Sequence, residues 1–176
     1  GIHTYFNELV EFSNITPNEL KIMHLNINSV FLKIDAIHEI LDSLSFDIIF
    51  LNETKLDKTV PNSYLSHKNY SMYRRDRDFM GMGIGKHGGG LLIFLKKKYI
   101  HSIEISKQLE AINLNIKINN NSLNFLTCYK SPSINNLEFI EFLDDKISNI
   151  DLSDPIFILG DLNMDLMSSH GKPLKD

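Results

Sequence analysis

The 176-residue sequence is short of several things, and each shortage narrows what it can do. It has one cysteine, Cys128, so an internal disulfide and a cysteine-built zinc site are both excluded, and a reducing compartment is implied. Set in the apolar run "LNFLTCYK", that thiol reads as a buried bystander. It has no basic excess: net charge is −4, and any affinity for nucleic acid or membrane has to come from a local patch. No apolar run is long enough to cross a membrane and no signal peptide is visible, so an intracellular place, nuclear or cytoplasmic, with no membrane partner is expected. Internal repeats and low-complexity segments are missing too. There is no initiator Met, and the last residues, "SSHGKPLKD", bring no closing element, so the expectation is a piece of a longer chain.

What is present suits one soluble domain, with 43% hydrophobic and 23% charged residues around a sizeable core. "HTYFNELVEF" followed by "SNITPNE" reads as a leading helix and linker over residues 1–18, leaving 19–176 for the domain. "LKIMHLNI" is strand-like. The next segment, "SVFLKIDAIHEILDSLS", puts Phe31, Ile34, Ile37, Ile40, Leu41 and Leu44 on one helical face, with Ser29 as the expected cap. "FDIIFLNET" is strand-like again, and a strand–helix–strand opening argues for an α/β layer architecture. The middle, "YSMYRRD", "GGGLLIFLKKKYI", "AINLNIKI" and "SLNFLTCYK", reads as short strands without helices between them, with a hairpin around Asn119–Asn121. Residues 135–150 return to helical spacing behind Asn135 or Asn136 as cap, and "PIFIL" is a last strand. The pattern predicts two β-layers with helices packed outside them.

Charge is uneven. Between Tyr73 and His101 stand seven basic residues (Arg74, Arg75, Arg77, Lys86 and Lys96–Lys98) against Asp76 and Asp78. Such a patch suits phosphates. It also suits a solvated hairpin edge, where lysines block aggregation.

Three strand ends carry hard oxygen donors: Asn26 and Asn28 in "LNIN", Asn52 and Glu53 in "FLNET", and Asp161, Asn163 and Asp165 in "LGDLNMD". Taken singly, each has a bland counterpart. The first pair could cap the helix near Ser29, Glu53 could be a solvated loop charge, and Asp161 with Asn163 could make Asx turns. Taken together, at the carboxyl ends of strands where α/β sites gather, they suit Mg²⁺ and a metal-assisted phosphoryl or phosphodiester hydrolase. His/Cys clusters that would indicate zinc are missing.

The segments "LNINS", "LNET", "GGGLLIFL", "CYKSP" and "GDLNMD", in this order, resemble the endonuclease/exonuclease/phosphatase (DNase I-like) superfamily. The resemblance extends over about residues 20–170, and "YRRDRD…GGG" with "NNLEFIEFLDD" is similar to the endonuclease domain of LINE-type (non-LTR) retrotransposon polyproteins. It implies a four-layer α/β/β/α sandwich, incomplete at the C-terminus. It implies Mg²⁺, with Mn²⁺ as a substitute, at Glu53 and Asn26, to polarise a phosphate oxygen and stabilise the leaving oxygen. Asp161 would then orient or deprotonate the attacking water, while Asn163 and Tyr129 donate hydrogen bonds to the phosphate. The substrate implied is the DNA phosphodiester backbone, nicked to leave a 3′ hydroxyl for a reverse transcriptase domain further along the full chain. Arg74, Arg75, Lys130 and His87 are candidate substrate-binding residues.

Two elements of that family pattern are absent: a late "SDH" motif and a second Asp from a later strand. His170, nine positions after Asp161, reads as a linker or turn residue, as Asp165 does, and the other histidines match no catalytic position. The 176 residues are therefore expected to be an N-terminal two-thirds, poorly active or inactive alone, with an uncovered sheet edge and poor solubility. Where the family often has Arg or Ala after the Tyr, this chain has Lys130, a point charge in place of a bidentate fork. The rivals are another superfamily phosphoesterase (a phosphoinositide phosphatase, a sphingomyelinase or an apurinic endonuclease), a non-catalytic binding module, or a decayed transposon remnant.

Overall fold

A computed structural model describes residues 19–77, 88–151 and 153–164. The leading helix expected over 1–18 lies outside the described residues, as do Asp78, Lys86, His87, Asp165 and His170.

Among the described residues there are two four-stranded sheets. One contains β1 (Ile22–Asn26), β2 (Ile48–Asn52), β3 (Tyr70–Arg75) and β4 (Leu91–Lys96) in the order β1-β2-β4-β3. The other contains β5 (Ile100–Ile105), β6 (Glu110–Ile118), β7 (Asn121–Tyr129) and β8 (Ile156–Asp161) in chain order. Each sheet has one parallel pair, β1 with β2 and β7 with β8, and the other pairings are antiparallel. A parallel pair needs a crossover. Helices α1 (Ile34–Leu44) and α3 (Asn136–Ser148) supply the two, and a short helix α2 (Asn62–Leu65) precedes β3.

Alternation along the strands builds the layers. Ile48 and Phe50 of β2 turn inward with Ile93 and Leu95 of β4 to meet Ile112, Leu114 and Phe125 of the second sheet. Ile49 and Leu51 turn outward with Leu92 and Phe94 onto Ile34, Ile37, Leu41 and Leu44 of α1. On the far side, Phe139 and Phe142 of α3 cover Ala111, Leu126 and Cys128. This is the four-layer α/β/β/α sandwich, and it explains why β2 is buried along its whole length. Each large side chain so enclosed contributes about 1.5–3 kcal/mol. Cys128 is fully buried, and burial pushes its thiol up to about 12.

The edges contrast with this core. β1 and β8 border their sheets, and Leu25, Phe157 and Ile158 on them are exposed.

Local chemistry agrees with most of the expected elements. Asn119 and Asn120 carry φ of +50° and +67°, the two left-handed residues that a tight hairpin turn needs. Asn135 caps α3 by accepting the Leu137 N–H at 2.8 Å. Two expectations need correction. Ser29 does not cap α1, which follows a 3-10 turn at Phe31–Lys33. With φ +76°, Ser29 spends its N–H on the Glu53 carbonyl at 2.8 Å, stitching the end of β1 to the end of β2. The "GGGLLIFLKKKYI" run is two strands, β4 and β5, because the chain leaves one sheet for the other at Lys97–Tyr99. Helix α2 was not foreseen, being only four residues long.

Candidate active site

The register places the site. Asn26 pairs with Asn52 at the end of β1/β2, and Tyr129 pairs with Asp161 at the end of β7/β8. Buried Asn52 joins the two ends, donating from Nδ2 to the Cys128 carbonyl at 3.2 Å and accepting from Thr127 Oγ1 at 3.4 Å. Beside it Gly160, at φ +149°, lets β8 lie against β7; a Cβ there would run into the Cys128 carbonyl oxygen.

Glu53 sits where β2 has just ended, in the left-handed region at φ +58°. Its loop is strapped from both sides. Ile27, Ser29 and Val30 donate N–H to the carbonyls of Asn52, Glu53 and Thr54, while Thr54 and Lys55 donate to Gly90 and Gly89. A non-glycine residue in this conformation costs about 1–3 kcal/mol, and such strain concentrates at functional sites. The Glu53 side chain, 18% exposed, has the Lys55 ammonium at 3.8 Å, and its carboxylate and the Tyr129 hydroxyl face the same space beside Gly88. A Cβ on Gly88 would stand 3.5 Å from Glu53 Oε1 and 3.6 Å from the Tyr129 hydroxyl, so a longer side chain would crowd the space in front of both.

Tyr129 is nearly buried. Burial raises its phenol pKa, as do the Glu53 hydrogen bond and charge, and the Arg77 guanidinium 5.0 Å over the ring only partly offsets them. It therefore stays a neutral donor. Arg77 is in turn held by the Glu110 carboxylate, whose other oxygen takes the Gly90 N–H at 2.7 Å.

Asp161 Oδ1 accepts the Asn163 N–H at 3.1 Å, and Asn26 Oδ1 accepts the Asn28 N–H at 3.1 Å, so two Asx turns close the strand ends. The bland turn geometry and the converging donors thus occur in the same residues. Lys130 bridges the second turn: its N–H donates to the Asp161 carbonyl at 2.9 Å, and its carbonyl accepts from Asn163 Nδ2 at 2.7 Å. Asn28, one of the strand-end donors expected from sequence, and Lys55, given no role there, complete the first. Lys55 Nζ donates to Asn28 Oδ1 at 2.6 Å while facing Glu53, which links Asn26 to Glu53. The signal available was Lys55 standing two residues past Glu53 at a strand end.

The basic patch divides. Arg74 donates to the Asp76 carboxylate and, at 2.8 Å each, to the Val60 and Asp57 carbonyls, so its fork holds the 57–62 loop against β3. Arg75 donates to the Ser106 carbonyl at 2.8 Å and lines a cavity shared with Tyr129 and Lys130. Lys96 and Lys98 lie at the opposite end of the sheets, each 3.5 Å from Asp47.

Among the described residues no three His, Cys, Asp or Glu side chains converge as a metal cage. Glu53 and Asn26 instead offer one carboxylate and one amide oxygen, a set that suits Mg²⁺ when water and phosphate complete the shell.

The sequence model of the Endonuclease/Exonuclease/phosphatase family matches residues 23–175. The chain belongs to this family. Solved structures of similar fold include TDP2 from Caenorhabditis elegans, with TM-score 0.56 and 19% identity, covering 83% of this chain and 49% of that one. An AP endonuclease from Archaeoglobus fulgidus gives 0.55 and 18%, covering 82% and 58%. D. rerio TDP2 complexed with single strand DNA product gives 0.55 and 17%, covering 83% and 61%. At these identities the likeness concerns the DNase I-like fold, and the chain spans about half to three fifths of the length of these three. No curated protein matches the sequence. Membership in the Endonuclease/Exonuclease/phosphatase family makes phosphoester hydrolysis the chemistry against which the strand-end cluster is to be judged. Among the described residues no helix is long and apolar enough to cross a membrane.

Proposed function

We propose that this chain is the N-terminal part of a metal-assisted phosphodiester hydrolase that nicks DNA, of the LINE-type branch of the family. The observation that carries the reading is the approach of Glu53 and Tyr129 to one space beside Gly88, with Asp161 next to Tyr129 across the β7/β8 register. Mg²⁺ or Mn²⁺, held by Glu53 and Asn26, would supply positive charge to a phosphate oxygen and to the leaving oxygen. Tyr129, kept protonated by burial and by Glu53, donates a hydrogen bond to the phosphate as negative charge builds there. Asp161 has one oxygen fixed by the Asn163 N–H, which aims the other at an attacking water and lets it take that water's proton. Asn163, pinned by Nδ2 to the Lys130 carbonyl, adds a second donor. The "YRRDRD…GGG" and "NNLEFIEFLDD" segments favour the retrotransposon branch, with a reverse transcriptase following in the full chain.

The test is nicking of supercoiled plasmid by the complete protein with and without Mg²⁺, and end-labelling to identify a 3′ hydroxyl. Mg²⁺-dependent nicking that Glu53→Gln and Asp161→Asn both suppress is expected. Nicking unaffected by either substitution, or none under conditions where a control nuclease works, refutes the reading. An abasic oligonucleotide and a phosphoinositide run in parallel separate the rival substrates.

A further inference from the structure

We propose that Glu110 is a positioning residue of the candidate active site: its one carboxylate, bridging Arg77 and the Gly90 N–H, holds Tyr129 and the Glu53 loop in place together. The residues that share its face of β6, Ile112, Leu114 and Ile116, are buried in the core between the sheets. Alternation therefore puts a carboxylate at the last inward position of β6 before the site, and register pairs it with Tyr129.

A carboxylate with 11% of its side chain exposed has to be matched by donors. Glu110 meets two, from different segments. One oxygen takes Nε of Arg77, just past β3, and the other takes the Gly90 N–H, just before β4, at 2.7 Å. From there two lines of contact run to the site. The Arg77 guanidinium carbon lies 5.0 Å from the centre of the Tyr129 ring. Gly90 and Gly89 accept the Thr54 and Lys55 N–H groups on their carbonyls at 3.3 and 3.0 Å, directly after Glu53. Glu53 and Lys55, at φ +58° and +53°, both stand in the left-handed region, which non-glycine residues keep only where their surroundings over-determine it. The pieces sit close: a Cβ on Gly89 would lie 2.5 Å from both Glu110 Oε2 and the Arg77 guanidinium carbon.

A buried ion pair is weak evidence for stability, because apolar side chains of the same volume often replace one at no cost. The use of this one is geometric. Both partners of Glu110 are donors, so the bridge needs two acceptor oxygens on one side chain. Glutamine offers one, and can serve Arg77 or Gly90 but not both. A role in filling space alone would be kept by glutamine, which has the same shape. The inference rests on the proposed hydrolase for what the site does, but the bridge itself is read without substrate.

Amide hydrogen exchange in the complete protein is the first measurement. Glu110→Gln should speed exchange several-fold at Gly90, Thr54 and Lys55, with no change along α1 or α3. The same substitution should lower kcat for nicking about 10- to 100-fold while KM for an oligonucleotide stays within about twofold. Arg77→Met removes one of the two donors, so Glu110→Gln added to it should cost far less than it does alone. Glu104→Gln, at the ion pair with Lys146 of α3, is the control and should move neither measurement. Unchanged exchange, an unchanged kcat, a loss carried by KM, or an effect of Glu110→Gln just as large without Arg77 overturns the bridge. If Glu110→Gln does not fold, Glu110→Asp, with both acceptors on a shorter stem, gives the same two measurements. Faster exchange in a protein that nicks nothing keeps the bridge and removes the hydrolase. Unchanged exchange beside Mg²⁺-dependent nicking removes the bridge alone.

Discussion

The two ends of the sheets carry the same residue types and use them in opposite ways. At one end Asp47, 5% exposed, accepts from the Lys21 N–H at 2.9 Å and the Tyr99 hydroxyl at 2.7 Å, with the Lys96 and Lys98 ammoniums at 3.5 Å. Burial pushes its carboxyl up, but those donors and charges together outweigh burial and hold it below the usual value. At the other end Glu53 has one ammonium at 3.8 Å and one phenol, on a backbone bent into the left-handed region. Asp47 has spent its lone pairs on the fold. Glu53 has kept much of its capacity for something else, and that difference, more than residue type, separates a site from a strut.

Exchanging each carboxylate for its amide is the sharpest way to break the comparison. Glu53→Gln should lower nicking by the complete protein about 100- to 1,000-fold, or about 3–4 kcal/mol of barrier. Its urea-unfolding free energy should move by less than about 0.5 kcal/mol, since Gln keeps the Tyr129 contact. A stability loss matching the loss of rate would make Glu53 a second Asp47. Gly160→Ala should cost about 3 kcal/mol, by strain at φ +149° and by the encounter with the Cys128 carbonyl. Because Gly160 precedes Asp161, rate and stability should fall together there, unlike in Glu53→Gln.

Asp47→Ala should cost about 2 kcal/mol, since it leaves the Lys21 N–H and Tyr99 hydroxyl without their acceptor. Its pH dependence has a fixed sign. A carboxyl held below its unfolded value of 3.8 contributes fully above that pH and loses its contribution as pH falls through the lower folded value. The gap in urea midpoint between the unaltered chain and Asp47→Asn should therefore narrow as pH drops below about 4. A gap that widened there would remove Asp47 from the role of strut.

The sequence showed the layers because they rest on local patterns: the unbroken apolar run "DIIFL" and the apolar face of α1 were both realised, as a fully buried strand and a covering helix. It showed the strand-end donors for the same reason, since they follow directly where those patterns stop. It could not show the use of each charge, because that depends on partners distant in the chain. Arg74 and Arg75 are neighbours in sequence, yet alternation along β3 sends one to the 57–62 loop and the other to the cavity by Lys130. Lys55 meets Asn28 across 27 residues, and Glu110 meets Gly90 across 20. Ser29 looked like a cap because Ser before an apolar run usually is one. Here the strap to the end of β2 holds Ser29 at φ +76°, outside the extended conformation a cap adopts.

The division of the basic residues gives the smallest effect. Read along the chain, Arg74 to Lys98 is one patch; in the fold, antiparallel β4 carries its lysines to the Asp47 end, where Leu95 pairs with Ile48. Lys98 is 62% exposed, 3.5 Å from Asp47 and 4.9 Å from the centre of the Tyr99 ring. An exposed pair of this kind contributes little, so Lys98→Met should change stability by less than about 0.5 kcal/mol. It should also leave the salt slope of oligonucleotide binding where it was, because a lysine that touches no phosphate releases no counterion. Lys130→Met, which removes one charge as well, should lower the slope by about one. Equal effects from the two lysines would mean that the strand runs past the Asp47 end, and the separation of site from strut would fall with the assignment of the basic patch.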